Sequence, residues 1–224
     1  MSGVNRAHDR ELLRRAVKAA LERSGYSWYR YTLRKNASGR SLSGAEERAV
    51  IDGATQAAAG MARQVTAKFG RLAPPELAAA LGVTVVARPA GEAPEPYLYL
   101  GLYEPGARAI ILNEGAMTRV RRFIEANGLA DLTPPEDIQA VALFHEIFHA
   151  LEEETPGIYT RTPMLKRKAL GIFPYRRGLD AASEVGAVHF SGQMAGIAYC
   201  PCIYERYLLL ALGQLSIDLF MPNV

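Results

Sequence analysis

A pair of histidines with a glutamate beside the first is the part of this chain whose residue types can do chemistry. His145, Glu146 and His149 follow the spacing His-Glu-x-x-His. On an α-helix, positions i and i+4 share a face, so both imidazoles can bind one zinc ion while Glu146 faces a water held there. Zinc lowers the pKa of such a water to about 7, and a neighbouring carboxylate can take its proton. The spacing therefore predicts hydrolysis by a metal-activated water, with Glu146 as the general base.

The residues on either side of this motif are typical of a helix that runs through it. Residues 133–136 read Thr-Pro-Pro-Glu, which predicts a capping box with proline tolerated in the first turn. Residues 155–157 read Thr-Pro-Gly and predict the end of the helix. Burying two imidazoles without partners is costly. This cost favours two histidines that bind one metal ion over two ordinary core histidines. An apolar stripe at helical spacing supports the same helix: Ile138, Val141, Ala142, Phe148 and Leu151.

A catalytic zinc site usually takes three protein ligands and leaves the fourth position to water. The third-histidine pattern H-x-x-G-x-x-H is excluded, because positions 152 and 155 hold Glu and Thr. A second helix begins near Asp180, which is a candidate N-cap, and it carries Glu184 in its first turns. Glu184 is the favoured third ligand from these residues. His189, Glu152 and Glu153 remain as alternatives.

The order of these segments resembles that of the ImmA/IrrE family of zinc metallopeptidases. The strand and turn at 109–113 precede the helix with His-Glu-x-x-His, and a later Glu-x-x-Ala-x-x-Phe segment follows (Glu184, Ala187, Phe190), with Met194 after it. The resemblance covers about residues 72–198, and it includes a short helix near 74–82 and a strand at 83–86. The order of the segments is more specific than any one motif.

The resemblance implies a role for each matching residue. It makes His145 and His149 zinc ligands, Glu146 the general base and Glu184 the third ligand. It also implies a protein substrate, such as a transcriptional repressor or stress regulator, that is cleaved once rather than digested. Two departures bear on substrate choice: residues 192–196 read Gly-Gln-Met-Ala-Gly where the family often has Leu-Leu-Met-Pro, and residues 156–179 look like an insertion.

The remaining patterns predict an α+β fold with a small, mainly antiparallel sheet packed on helices. Residues 97–103 alternate Leu and Tyr, residues 104–107 form a turn, and residues 108–112 return as a second strand. The Tyr stripe favours a half-buried sheet face, although an edge strand can also pair with an extended substrate. Two helices are expected before this region, one near 9–24 and one from the capping box at Ser43 to Phe69. We expect a basic helical extension over residues 1–70 and a zinc metallopeptidase-like domain over residues 71–224.

Composition limits the class of protein further. The chain has 224 residues, 49% of them hydrophobic, enough to bury a full core. No apolar run approaches the 18 or so residues that cross a bilayer, and the polar start lacks a signal-peptide core. The sequence therefore predicts a cytoplasmic protein without membrane contact. The two cysteines, Cys200 and Cys202, are expected to be free thiols.

The basic residues are unevenly distributed although the net charge is only +3. Residues 1–40 hold ten Lys or Arg against three Asp or Glu, and aromatic residues lie among them. Such a composition is compatible with nucleic acid, but the amphipathic pattern of the first helix favours a solvated surface. A second basic run without acids lies between residues 161 and 177. Two rivals to the peptidase remain: a zinc-binding regulator or sensor without efficient proteolysis, and a DNA-binding or scaffold protein.

Candidates for the group that stabilises the oxyanion of a peptidase are polar side chains near the motif helices. The sequence nominates four: Tyr159, Tyr175, Arg176 and His189.

Overall fold

The computed structural model describes residues 3–35, 37–89, 99–162, 164–169 and 173–221. These residues are mostly helical, with one three-stranded sheet and one two-stranded hairpin. None of the helices in these ranges is long and apolar enough to cross a membrane. The helices are α1 (Gly3–Leu21), α2 (Gly25–Arg34), α3 (Ala37–Arg40), α4 (Gly44–Phe69), α5 (Pro74–Ala80), α6 (Glu114–Ala126), α7 (Asp137–Glu153), α8 (Ala181–Ala195) and α9 (Ile203–Ala211). The strands are β1 (Thr84–Arg88), β2 (Gly101–Glu104), β3 (Ala109–Asn113), β4 (Met164–Ala169) and β5 (Phe173–Gly178).

Helix α4 begins and ends where its sequence signals predict. The Ser43 hydroxyl accepts a hydrogen bond from the backbone N–H of Glu46, and the Glu46 carboxylate accepts one from the Ser43 N–H at 2.8 Å. This reciprocal pair is the predicted capping box. The helix stops at Gly70, whose φ of 75° is readily adopted only by glycine.

The helices of residues 1–70 share the core with the rest of the chain. Leu13 and Val17 of α1 and Trp28 of α2 are buried in the same cluster as Phe148 of α7. Helix α4 packs along α8, whose other side packs on α7. Helix α8 therefore lies between the N-terminal helices and the helix of the His-Glu-x-x-His motif. The first 70 residues pack into the fold rather than extending from it.

A buried carboxylate links α2 to α4. The side chain of Glu47 is 1% exposed and pairs with two arginines of α2, Arg30 at 2.9 Å and Arg34. A buried charge is costly unless it is paired and hydrogen-bonded, so this contact holds α2 in one position on α4. Leu33 of α2 and Val185 of α8 are buried in the same neighbouring cluster.

The three-stranded sheet has the order β1-β3-β2 and is mixed rather than mainly antiparallel. β2 and β3 form the predicted antiparallel hairpin, with Leu102 opposite Ile111. β1 pairs with the other side of β3 in the parallel direction, with Val85 opposite Ile110. The prediction of a mainly antiparallel sheet therefore holds for the hairpin but not for β1, because β1 lies beside β3 rather than β2. Residues 97 and 98 of the predicted strand lie outside the described residues.

The start of α7 differs from its prediction. The helix begins at Asp137, and no side chain caps it. Thr133 is completely buried, and its hydroxyl oxygen lies 2.9 Å from the phenolic oxygen of Tyr207 in α9. The hydroxyl that a capping box would need is therefore used in a tertiary contact. Helix α6 was not predicted from the sequence; the side chain of Asn113 accepts a hydrogen bond from the Ala116 N–H at its start.

The segment at 156–179 connects α7 to α8 through a second hairpin. A short 3-10 turn at Tyr159–Arg161 is followed by β4 and β5, which pair antiparallel with Lys166 opposite Arg176. The second basic run therefore lies largely on this hairpin. Its two ends return to the region between α7 and α8.

Candidate metal centre

Helices α7 and α8 bring three donor side chains together. His145 and His149 are one turn apart on α7, and Glu184 lies in the first turn of α8. The Glu184 Oε2 atom is 3.4 Å from His145 Nε2, and its Oε1 atom is 3.6 Å from His149 Nε2. One donor atom from each residue lies within 4.8 Å of the other two. Such a group can hold a metal ion.

The charges of His145 and Glu184 stabilise each other. Burial works to lower the pKa of His145, but its hydrogen bond to Glu184 and the charges of Glu146 and Glu184 outweigh burial and raise that pKa to about 9. Burial works to raise the pKa of Glu184, but the contact with His145 and the charges of His145 and His149 lower it to about 2. The pKa shifts therefore favour a protonated His145 beside an ionised Glu184.

The remaining nitrogen of His149 faces a buried carboxylate. His149 Nδ1 lies 3.1 Å from Glu152 Oε2, and Ser183 Oγ lies 3.1 Å from the same nitrogen. The Ser183 hydroxyl also donates a hydrogen bond to Glu152 Oε2. The Glu152 pKa is lowered, since its contacts with His149 and Ser183 outweigh the effect of burial. The His149 ring thus lies between two carboxylates, with Glu184 near Nε2 and Glu152 near Nδ1.

Glu146 lies against the edge of the sheet. Its Oε2 atom accepts a hydrogen bond of 2.8 Å from the backbone N–H of Tyr103 in β2. A Cβ on Gly101 would lie 2.9 Å from Glu146 Cγ, so this close approach requires glycine at position 101. Glu146 is 7% exposed. The proposed general base is therefore held by a strand that lies at an edge of the sheet.

A cleft of about 940 Å³ opens over these residues. β2 forms one wall, and the start of α8 forms another. The lining also includes Lys35, which pairs with Glu205, and Cys202, whose sulfur lies 3.3 Å from the Thr32 hydroxyl. The two cysteines are free thiols. Because Thr32 and Lys35 belong to the first 70 residues, the N-terminal segment contributes to the cleft.

The alternative ligands lie elsewhere or face other groups. Glu152 faces the Nδ1 side of His149. Glu153 accepts a hydrogen bond of 2.9 Å from the Tyr103 hydroxyl. His189 Nδ1 is 2.8 Å from the hydroxyl of Tyr29 in α2. Among the described residues, the three therefore do not join the group formed by the two motif histidines and Glu184.

The structure describes the side chains of two of the four oxyanion candidates, and both bond to groups on other helices. The Tyr159 hydroxyl donates a hydrogen bond to the backbone oxygen of Ala49 in α4. His189 is engaged with Tyr29. The side chains at positions 175 and 176 lie outside the described residues. Polar donors that do line the cleft include Lys35 and Arg161, for which the sequence held no signal beyond their charge.

The two imidazole nitrogens and one carboxylate suit a metal ion that prefers nitrogen and oxygen ligands. Two imidazoles and one carboxylate are a common three-ligand set for catalytic zinc, and the cleft leaves a fourth position open. The sequence predicted the two histidines from their spacing and Glu184 from its helix. It did not predict Ser183 or the contact between Tyr103 and Glu146, because both depend on tertiary packing.

No protein-family model, curated protein or solved structure matches this chain.

Proposed function

We propose that the chain is a zinc-dependent metallopeptidase. The observation that carries the proposal is the convergence of His145, His149 and Glu184 beside Glu146 in an open cleft. Two neutral nitrogen donors and one carboxylate suit zinc and leave a position for water. The sequence resemblance to the ImmA/IrrE family points to the same chemistry.

The side chains have separate roles in this proposal. Bound zinc supplies Lewis acidity and acidifies a water. Glu146 accepts the proton of that water and passes it to the leaving amine. His145 and His149 bind through Nε2, since these are the atoms that face Glu184. The hydrogen bond from Tyr103 holds one Glu146 oxygen, so the other oxygen is assigned to the proton.

The substrate is proposed to be an extended segment of a protein. Among the described strands β2 lies at the edge of the sheet, and it lines the cleft, so a polypeptide can add to it as a further strand. Limited cleavage of a transcriptional repressor or stress regulator follows from the family resemblance. Leu102 of β2 is 42% exposed and offers an apolar contact to such a segment.

A zinc-binding regulator without efficient proteolysis is the second candidate. It is favoured by one contact, the hydrogen bond from the Tyr103 N–H that engages one oxygen of Glu146. A DNA-binding role receives less support from the N-terminal basic residues. Several of them are engaged within the chain by acidic side chains or backbone carbonyls: Arg14, Arg30, Arg34, Lys35 and Arg40.

The test compares the wild type with Glu146→Gln, which keeps the size of the side chain but removes the base. Protein purified without added metal should contain about one zinc per chain in both forms. New protein N-termini, identified by peptide mass spectrometry after expression in a bacterial host, should appear with the wild type and be absent with the variant. Glu125→Gln, an exposed acid on α6, is the matched control and should behave as the wild type. Equal zinc with identical N-termini in all three would favour the regulator.

A further inference from the structure

Glu152 is a charged side chain in a place that disfavours charge. It lies on α7 less than one turn beyond His149, and its side chain has no solvent exposure. Burying a carboxylate costs several kcal/mol unless partners replace its water. A neutral residue of the same shape would avoid that desolvation cost. The charge at position 152 therefore needs an explanation other than filling space.

The partners of this carboxylate belong to the metal site. Oε2 contacts both His149 Nδ1 and the Ser183 hydroxyl, and Ser183 directly precedes Glu184 in α8. Arg161 lies farther away, with its Nε at 3.8 Å. The other oxygen, Oε1, is buried without a hydrogen-bond partner among the described residues. The carboxylate is therefore satisfied chiefly on the side that faces the candidate ligand His149.

The two nitrogens of His149 face different carboxylates. Nε2 points to Glu184 and is the atom that can bind a metal, whereas Nδ1 points to Glu152. A carboxylate on the non-ligating nitrogen of a metal-bound histidine fixes the proton on that nitrogen and orients the ring. It also makes the ligating nitrogen more basic.

We propose that Glu152, supported by Ser183, is a positioning residue that holds the proton of His149 on Nδ1 and turns Nε2 toward a zinc ion. This inference rests on the proposed function, because it requires the site to bind metal. It differs from a ligand role for Glu152, since the carboxylate approaches the wrong nitrogen for sharing the ion. It also differs from a packing role, because the carboxylate contacts its neighbours through polar atoms, His149 Nδ1 and the Ser183 hydroxyl.

The charge of Glu152 and the shape of its side chain can be tested separately. Glu152→Gln keeps the volume and an acceptor oxygen but removes the charge, so zinc affinity should fall about 10- to 100-fold. The metal-free variant should still fold but unfold at a somewhat lower temperature, because the partners of the buried carboxylate lose its charge. Ser183→Ala should lower the zinc affinity by a smaller factor. Glu153→Gln, the adjacent acid bound to Tyr103, should leave the affinity unchanged.

The experiment is a competition titration with zinc and a chromophoric chelator on the metal-free full chain at pH 8, with thermal unfolding of each metal-free form. If the wild type itself binds no zinc, the proposed function fails. If the wild type binds zinc and Glu152→Gln binds it equally well, the positioning role fails while the proposed function stands. A loss of zinc affinity in Glu153→Gln as large as that in Glu152→Gln would show a general effect of removing an acid from α7 and would overturn the proposal.

A second measurement needs no variant. Long-range proton–nitrogen NMR spectra of the zinc-loaded wild type distinguish the two imidazole nitrogens of each histidine. We expect the proton of His149 on Nδ1 and the metal on Nε2. A proton on Nε2 would overturn the proposal whether or not any variant folds.

Discussion

Gly101 of β2 and Glu146 of α7 meet so closely that the strand backbone lies against the glutamate side chain. A Cβ on Gly101 would lie 2.9 Å from Glu146 Cγ, a separation that real Cβ atoms essentially never show. Two residues along the strand, the Tyr103 N–H donates to the same carboxylate. The position of the proposed base is therefore set by a strand as well as by its own helix.

Substituting Gly101 by alanine should lower the rate of peptide cleavage without lowering zinc binding. The added methyl group displaces Glu146 or β2, while the donor atoms of the metal site are unaffected. Zinc content should stay at the wild-type level, and turnover should fall by about 100-fold, as expected for a misplacement near 1 Å. Gly106→Ala is the control, because a Cβ at that position in the turn of the same hairpin meets no atom within 4 Å. Full activity of Gly101→Ala would show that the base does not depend on this contact.

Glu184→Ala and His189→Ala should differ in metal binding. Glu184 faces both motif histidines, so its removal takes away a donor and the negative charge beside the ion. We expect zinc affinity to fall by more than about 100-fold, which exceeds the usual loss when a residue that only contacts a metal ligand is removed. His189→Ala removes a ring that bonds to Tyr29, and zinc content should remain near one per chain. Elemental analysis and an anomalous-scattering map check both outcomes. Zinc on His189 would refute the assignment.

Zinc affinity should increase with pH up to about 9. The His145 pKa is raised to about 9 in the metal-free protein, so at neutral pH a proton must leave before the ring can bind metal. One displaced proton corresponds to an affinity loss of about tenfold for each pH unit below that value. Titration at several pH values, with calorimetric measurement of the released protons, checks this dependence. Constant affinity between pH 7 and pH 9 would contradict it.

The same raised pKa affects the stability of the metal-free protein in the opposite direction. A group whose pKa is higher in the folded state stabilises the fold below its ordinary value, here 6.5. This contribution is lost as the pH rises through about 9. Denaturant titrations of the metal-free protein at pH 6 and pH 10 should show the loss in the wild type. The loss should be absent in His145→Ala.

Gly186→Ala should destabilise the contact between α7 and α8. A Cβ at this position would lie 2.8 Å from both the Phe148 ring and the Thr160 methyl group. Overpacking of this kind costs about 1–3 kcal/mol in the free energy of unfolding. Gly60→Ala, also within a helix, is the matched control, because its Cβ would meet only Arg63 at 3.9 Å. The control should be neutral or more stable by up to about 1 kcal/mol, since alanine favours helix.

Local signals predicted the elements that depend on local contacts. The spacing of His145 and His149 predicts a shared helical face, and the Ser43 box predicts the start of α4, because both depend on residues within one or two turns. The start of α7 was predicted wrongly because Thr133 contacts Tyr207, which is 74 residues away in the chain.

Long-range packing accounts for the other differences. The parallel pairing of β1 with β3 places a strand beside a partner that is not its neighbour in sequence. The role of Glu152 could not be separated from that of a ligand, since its spacing from His149 suits either. Only its approach to Nδ1, together with Ser183 from the next helix, distinguishes the two.

The position of α8 between α4 and α7 has a consequence for any shortened form of the protein. A chain that began at residue 71 would lack α4, and the buried side of α8 at Ala182 and Val185 would face water. That side lies next to Glu184, so truncation would loosen the helix that supplies the third donor. Helices α2 and α4 therefore support the helix that carries Glu184, and we expect a shortened form to keep the candidate metal site intact only if it includes them.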